Sequence, residues 1–196
     1  MNVLRIYIEY FSVFCYNIGK KNEGNDRMSA FTKITPQELT DNPFTLIGKE
    51  WALVTAGTPE KFNTMTVSWG GVGILWNKPV TFTFIRPQRY TFEFLENNGC
   101  FSMCFFDESY RQALTLCGTK SGRDVDKVAA TGLTPAFTED GVPYFEEAKL
   151  VLICKKLYAQ DLNEVSVIEE AVKTNYNGDD YHRMYAGEIV EVLRKA

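Results

Sequence analysis

Polar and apolar residues alternate through much of the chain between positions 51 and 86. The clearest case is PVTFTFI (79–85). There Val80, Phe82 and Phe84 alternate with Thr81, Thr83 and Ile85. A period of two residues is typical of a β-strand, because successive side chains point to opposite faces. With WALVTAG (51–57) and the glycine-punctuated FNTMTVSWGGVGILWNK (62–78), this pattern predicts several consecutive strands.

Short helical patterns interrupt the strands. Helices are predicted for three stretches that each run into a glycine: TFEFLENNG (91–99), ESYRQALTLCG (108–118) and GRDVDKVAATG (122–132). A fourth, short helix is predicted to start at TPQE (35–38), which has the form of a capping box, and to end before Pro43.

Three later stretches are typical of strands: CFSMCFF (100–106), AKLVLICKKLYAQDL (148–162) and MYAGEIVEVLRK (184–195). The helices fall between strands without strict βαβ alternation. This order favours an antiparallel barrel or sandwich with helical insertions over a doubly wound sheet.

The first 27 residues differ from the rest because they are apolar and aromatic. Glu9 interrupts the apolar run, Arg5 is its only early base, and no small-residue cleavage site follows, so we expect neither a signal peptide nor a membrane span. A second methionine, Met28, opens a sequence of ordinary globular character. We therefore predict an extension over residues 1–27 and one domain over residues 28–196.

Composition excludes several classes of function. A net charge of −4 with 45% hydrophobic residues gives no support to nucleic acid or an anionic membrane as the main partner. The five cysteines form no C-x-x-C pair, which favours a reducing cytoplasm, and we expect Cys100, Cys104 and Cys154 to be small core residues. With a single histidine, His182, no protein metal site is expected.

Positive charge and hydroxyl groups are concentrated in RPQRYTFEF (86–94), which we call the first corner. If a helix begins near Tyr90, its free N–H groups lie beside Arg89 and Thr91, and a phosphate fits such a helix start. The alternative is a surface arginine pair with a threonine cap.

The stretch TKSGRDVDK (119–127), here the second corner, has a similar character. Ser121 and Asp124 have the spacing of a helix cap, and Arg123 and Lys127 would share one helical face. A merely capped helix explains these residues in part, but it leaves the run of bases around a glycine unexplained. Two such helix starts in an acidic chain suggest one phosphorylated ligand held from two sides.

A third candidate element is NTMTVSWGGVG (63–73). Thr64, Thr66 and Ser68 would share one face of a strand, along which a planar heterocycle could lie, although a solvent-facing threonine row is as common. His182 stands just before the last strand and is a candidate ligand contact. The sequence has no phosphate-binding P-loop, no dinucleotide-binding G-x-G-x-x-G turn and no G-x-S-x-G elbow, so a hydrolase is not favoured.

Taken in order, the N-x-M-x-x-S-W-G-G strand, the R-P-x-R-Y-T corner, the S-G-R-D-x-D-K stretch and HRMYAGEI resemble the flavin reductase-like FMN-binding split-barrel family, most closely its flavoredoxin-type branch. The resemblance runs from about Met28 to the C-terminus, and the extension before it departs from the family pattern. It implies a mainly β, antiparallel six-stranded split barrel with short flanking helices, forming a homodimer that binds FMN near the subunit interface.

The resemblance also implies roles for individual residues. The isoalloxazine and ribityl chain would lie along Asn63, Thr64, Met65, Ser68 and Trp69. The phosphate would be held by Arg89, Tyr90, Thr91, Ser121, Arg123 and Lys127. His182 would lie near the flavin where nicotinamide stacks.

Three functions stay open at this point. The first is an FMN-dependent reductase that takes hydride from NADH or NADPH and passes electrons to an acceptor. The second is an FMN electron carrier that has no nicotinamide site and depends on a redox protein partner. The third is a split-barrel binding module without flavin. In the first two, the protein orients FMN and the cofactor carries the chemistry.

Overall fold

A computed structural model describes residues 31–176 and 180–196. The predicted extension over residues 1–27, the start at Met28 and Cys15 lie outside these ranges, so the domain boundary stays a prediction. The strands are β1 Phe31–Ile34, β2 Ala52–Thr58, β3 Lys61–Val67, β4 Gly70–Leu75, β5 Lys78–Ile85, β6 Cys100–Phe105, β7 Pro135–Phe137, β8 Pro143–Phe145, β9 Leu150–Asp161 and β10 Arg183–Lys195.

The helices are short. They are α1 Pro43–Thr45, which continues into a π-helical turn over Leu46–Glu50, α2 Tyr90–Asn97, α3 Arg111–Thr119 and α4 Lys127–Thr131. Single 3₁₀ turns span Pro36–Glu38, Glu108–Tyr110, Glu164–Ser166 and Glu170–Asn175.

One antiparallel sheet of eight strands organises the chain, with the order β3-β2-β6-β9-β10-β5-β4 and with β1 paired to the far end of β10. The prediction of a mainly β, antiparallel fold with short flanking helices is confirmed. The sheet has eight strands rather than six: β4 ends the order beside β5, and β1 pairs with the part of β10 that β5 leaves unpaired. The β4–β5 hairpin turns at Trp76 and Asn77, which both have positive φ, as a tight two-residue hairpin requires.

The two faces of the sheet carry separate apolar cores. The inner core includes Val54, Met65 and Tyr185, and the outer core is covered by α3 and by the β7–β8 hairpin. On β5 the alternation places the threonines inward: Thr81 and Thr83 are fully buried, while Phe82 and Phe84 are only partly buried. Thr81 meets its hydrogen-bonding need by donating to the Gly71 carbonyl at 3.1 Å.

Two predicted helices are shorter than the pattern suggested. The capping box at Thr35 forms, with its backbone N–H and hydroxyl both donating to Glu38 at 2.7 Å, but only the 3₁₀ turn Pro36–Glu38 follows. The helix predicted from Gly122 begins instead at Lys127, because the Asp126 carboxylate accepts from the Ala129 backbone N–H at 3.1 Å and caps it there. It ends at Gly132, which is in the left-handed conformation at φ 70°.

The cysteines in the described residues behave as core residues. Cys104, Cys117 and Cys154 are buried free thiols, and Cys100 is partly buried. Burial raises the pKa of Cys104 to about 12 and that of Cys117 to about 11, so both are protonated at neutral pH. Among the residues described, no cluster of ligating side chains suits a metal ion, and no helix has the length and apolarity to cross a bilayer.

Candidate functional site

A cavity of about 230 Å³ opens between the two corners identified in the sequence. Its walls come from the start of α2, the loop after α3, the first residue of α4 and one face of β3. The lining residues are Asn63, Met65, Gln88, Arg89, Tyr90, Thr91, Gly118, Thr119, Lys120, Ser121, Gly122 and Lys127. The two corners, 25 or more positions apart in sequence, therefore meet in space.

The cavity is cationic. Three of its lining residues carry positive charge, Arg89, Lys120 and Lys127, and none of the lining residues, all within the described part of the chain, is acidic. Cations that share a small space repel one another, and burial adds the cost of lost hydration. A multivalent anion in the cavity would relieve both costs.

The first corner supplies one wall through the start of α2. Thr91 is buried there, and its hydroxyl accepts a hydrogen bond from Asn63 Nδ2 at 2.7 Å, which ties the helix start to β3. Arg89 is the N-cap residue of α2, and its Nη2 donates to the Gly118 carbonyl at 2.8 Å, which ties the first corner to the end of α3, directly before the second corner. Burial, followed by the charge of Arg86, lowers the pKa of Arg89. Tyr90 and Thr91, the first two residues of α2, belong to this same wall, and backbone N–H groups at a helix start are suited to an anion.

The second corner supplies a buried lysine. Lys127 is only 6% exposed, and its Nζ donates to the Thr64 carbonyl at 2.7 Å and to the Cys117 carbonyl at 2.8 Å. Burial lowers its pKa to about 8, with a further lowering from Arg89 that the Cys117 thiol opposes. An ammonium has three N–H donors, so one remains for a ligand.

Gly122 allows the second corner to approach β3. A methyl group placed on its Cα would lie 2.0 Å from Asn63 Oδ1, a distance that no side chain tolerates. Beside it, the Ser121 hydroxyl lines the cavity and accepts from the Arg123 backbone N–H at 3.1 Å. This turn, rather than the predicted S-x-x-D helix cap, brings Ser121 and Gly122 to the cavity.

Arg123 does not line the cavity, and the prediction that it shares a helical face with Lys127 is wrong. The helix begins only at Lys127, so residues 121–125 form a turn that directs Arg123 elsewhere. Its guanidinium pairs with the Glu93 carboxylate and lies over the Tyr90 ring at 4.5 Å. It supports Tyr90 from outside.

The threonine row of β3 does not face the cavity either. Asn63 and Met65 line it, so the alternate residues Thr64 and Thr66 point to the other face of the strand. There the Thr64 hydroxyl lies 2.8 Å from that of Thr55, and the Thr66 hydroxyl donates to the Leu114 carbonyl of α3. These hydroxyls attach β3 to its neighbours, and neither Thr64 nor Thr66 lines the cavity.

Ser68 and Trp69 follow β3 and lie outside the cavity lining. Trp69 is 44% exposed, and its ring packs on the imidazole of His182 with centroids 5.0 Å apart. His182 Nδ1 lies 3.2 Å from the Tyr176 hydroxyl. Burial, then the charge of Arg86, lowers the pKa of His182 to about 4, so the imidazole is neutral at physiological pH. Arg89 also lowers it, which puts His182 within electrostatic reach of the cavity.

Five cavity residues were not assigned from the sequence: Gln88, Gly118, Thr119, Lys120 and Gly122. Lys120 had a detectable signal, since it stands beside Ser121 in the run of bases around a glycine. The others reach the cavity through the path of the backbone at the end of α3 and in the turns around it, which residue type does not specify.

Comparisons with a family model and with solved structures point to the same family of proteins. A model described as "Flavin reductase like domain" matches residues 45–195. Solved structures that resemble the chain include an FMN-binding protein from Thermus thermophilus (21% identity over 90% of this chain and 79% of that one, TM-score 0.59). A flavoredoxin from Methanosarcina acetivorans gives 20% identity, 88% and 74% coverage and a TM-score of 0.59.

A split-barrel domain protein from Shewanella frigidimarina gives 22% identity, 76% and 71% coverage and a TM-score of 0.58, which confirms the split-barrel fold. A search of curated proteins finds no match. Because the family model spans most of the chain, this protein belongs to the flavin reductase-like family.

Proposed function

We propose that the protein is an FMN-binding oxidoreductase that transfers hydride from NADH or NADPH to the flavin and passes electrons on to an acceptor. The observation that carries the proposal is the cavity in which Arg89, Lys120 and Lys127 meet without a carboxylate. The terminal phosphate of FMN is a dianion, and it matches a site of this charge and size. Membership of the flavin reductase-like family supports a flavin as the group attached to that phosphate.

The residues at the cavity fit the phosphate end of FMN. Arg89 and Lys127 would donate charge-assisted hydrogen bonds, and the Ser121 and Thr91 hydroxyls and the first N–H groups of α2 would complete the shell. Tyr90, held by Arg123, would close one side. Thr64 would act only through its backbone carbonyl, which holds Lys127.

The remaining predicted contacts would lie along the isoalloxazine ring of FMN. Asn63 and Met65 would lead from the cavity along β3 toward Ser68 and Trp69 at its end. When bound, FMN supplies the capacity to accept a hydride and release electrons singly or in pairs. His182, neutral beside Trp69, would hold a nicotinamide by packing and hydrogen bonding rather than by charge.

The visible spectrum of the purified protein tests the first step, and titration with FMN, monitored by flavin fluorescence, measures affinity. Anaerobic stopped-flow mixing of the flavin-loaded protein with NADH and with NADPH then tests hydride transfer. We expect bleaching with at least one nucleotide. A colourless protein that takes up no FMN would favour the non-redox binding module and refute the proposal.

A second candidate is an FMN electron carrier without a nicotinamide site. The likeness to a flavoredoxin and the lack of a nucleotide-binding motif in the sequence favour it. In that case FMN binds as described, neither nucleotide bleaches the flavin, and only a reduced protein partner does so.

We further propose a cytoplasmic homodimer. Support comes from the edge strand β4, where Ile74 is 70% exposed, and from Trp76, which is 60% exposed at the adjoining turn. Large apolar groups on an unpaired strand edge are usually covered by another chain. Light scattering on the flavin-loaded protein would give the mass, and a monomer at micromolar concentration would contradict this assembly.

A further inference from the structure

Arg86 belongs to the first corner, yet it does not line the cavity. Its guanidinium pairs with the Asp180 carboxylate and donates from Nη2 to the Asn175 carbonyl at 2.6 Å. The same guanidinium lies 5.4 Å from the centroid of the Tyr176 ring. One side chain thus makes an ion pair, a backbone hydrogen bond and a cation–π contact with the chain that leads into β10.

The residues held by Arg86 are the ones that surround His182. Tyr176 contacts the imidazole twice, through its hydroxyl at 3.2 Å from Nδ1 and through an edge-on ring contact at 5.6 Å. Tyr181, the residue before His182, stacks on Tyr176 with centroids 4.2 Å apart. The position of the imidazole therefore depends on where Tyr176 and Asp180 are fixed.

Gln88 connects this arrangement to the cavity. It lines the cavity, and its Nε2 lies 3.4 Å from the same Asp180 carboxylate that Arg86 holds. Arg89, which follows Gln88, lies on the cavity side. The corner therefore presents one arginine to the anion cavity and the other to the chain around His182.

We propose that Arg86 is a positioning residue, whose guanidinium fixes Asn175, Tyr176 and Asp180 so that His182 packs on Trp69 beside the flavin site. The role of His182 in hydride transfer rests on the proposed function, whereas the contacts of Arg86 do not. Arg86 binds neither the phosphate nor the flavin. It sets where the hydride donor meets the ring by placing the imidazole that borders that position.

The single histidine of the chain provides a direct readout, because its imidazole proton signals in an NMR spectrum need no assignment. The groups that face it are Arg86 and Arg89 from the first corner, Tyr176 and Asp180 from the chain before β10, and Trp69 from the end of β3. Removing Arg86 takes away a positive charge, removes the arginine that partly neutralises the Asp180 carboxylate, and admits water. All three changes raise the pKa of His182 toward the ordinary value of about 6.5.

The experiment compares wild type, Arg86→Ala and Arg86→Lys with Arg111→Ala as the matched control. Arg111 makes the same three kinds of contact elsewhere, with the Trp51 ring at 4.3 Å, the Lys49 carbonyl at 2.7 Å and Glu108 at 3.0 Å. For Arg86→Ala we expect a raised His182 pKa, little change in FMN affinity, and flavin bleaching by NAD(P)H slowed by about tenfold or more. Arg86→Lys keeps the charge but not the forked geometry, so bleaching should stay slow while the pKa of His182 stays low.

An imidazole titration in Arg86→Ala identical to that of wild type would overturn the proposal, as would an equal shift in Arg111→Ala. If the proposed function is wrong, the result is different: neither NADH nor NADPH bleaches the flavin of the wild-type protein. The NMR titration then still decides whether Arg86 positions His182.

Discussion

Replacing Lys127 with methionine is the sharpest test of the anion cavity, because the variant should lose both FMN affinity and the pH dependence of stability that the buried ammonium causes. Methionine keeps most of the length and apolar character of the side chain and removes the charge. In the native protein the pKa of Lys127 is about 8, against an ordinary value of 10.5. That difference of about 2.5 units corresponds to roughly 3 kcal/mol of unfavourable free energy when the native ammonium is charged.

The sign follows from proton binding. Between about pH 8 and pH 10.5 the unfolded chain holds a proton on this lysine that the native protein has released, so the unfolding free energy rises with pH in that window. Below about pH 8 both states are charged and the full penalty is present. A bound phosphate would favour the ammonium and reduce this pH dependence.

The assay is urea unfolding of the cofactor-free protein at several pH values from 7 to about 11, with FMN titrations at pH 7. Losing the bonds to the Thr64 and Cys117 carbonyls costs the variant about 1–3 kcal/mol. Near pH 7 the variant also escapes the penalty on the charged ammonium, so its stability falls furthest below that of wild type at the alkaline end of the range. The unfolding free energy of wild type should rise more steeply with pH than that of the variant. Because the other titrating groups are common to both proteins, the difference between the two curves gives the contribution of Lys127. Lys61→Met, at an exposed position of β3, is the control.

FMN affinity should fall by roughly 1.5–3 kcal/mol in Lys127→Met, the range for a hydrogen bond to a charged group. That is about a tenfold to a hundredfold change in Kd. If the unfolding free energies of wild type and variant change in parallel with pH, burial does not lower the pKa of Lys127. Unchanged FMN affinity would refute the placement of the phosphate.

Three further predictions concern the same site. Arg89→Ala should weaken FMN binding by roughly 1.5–3 kcal/mol, measured by fluorescence titration, and unchanged affinity would show that the phosphate lies elsewhere. Gly122→Ala should weaken FMN binding by at least about tenfold, because its methyl group would displace Asn63 from a contact that would be 2.0 Å; Gly73→Ala, with nothing within 4 Å, is the control, and equal affinities would contradict the close approach. Because the pKa of His182 is about 4, the bleaching rate should show no histidine titration between about pH 6 and pH 8; a sigmoidal step near pH 6.5 that is lost in His182→Asn would contradict a buried neutral imidazole.

The sequence predicted the elements and the chemical character of the site. Alternation between positions 79 and 85 gave the strand β5, and bases beside glycine and hydroxyl groups marked both corners. These signals are local: a period of two residues and a cap residue act within a few positions of the chain. Of the predicted contacts, Asn63, Met65, Arg89, Tyr90, Thr91, Ser121 and Lys127 line one cavity.

The errors arose where a local pattern allowed two outcomes. Both Ser121 and Asp126 have the form of an N-cap residue, and the helix starts after Asp126. Arg123 therefore lies in the turn before the helix and does not line the cavity. The hydroxyl face of β3 resembled a ligand surface, but packing of α3 against that face engages Thr66 instead. Which partner a polar face meets depends on elements far away in sequence.

The sequence by itself determined an antiparallel, strand-rich chain with two cationic turns, since strand period, glycine punctuation and charge are written in adjacent residues. Only the tertiary structure decided that these turns face each other across a cavity, that Lys127 is buried there, and that Arg86 turns away toward the chain around His182. The physical reason is that burial and the pairing of charges are set by the packing of distant segments, and no local pattern specifies that packing.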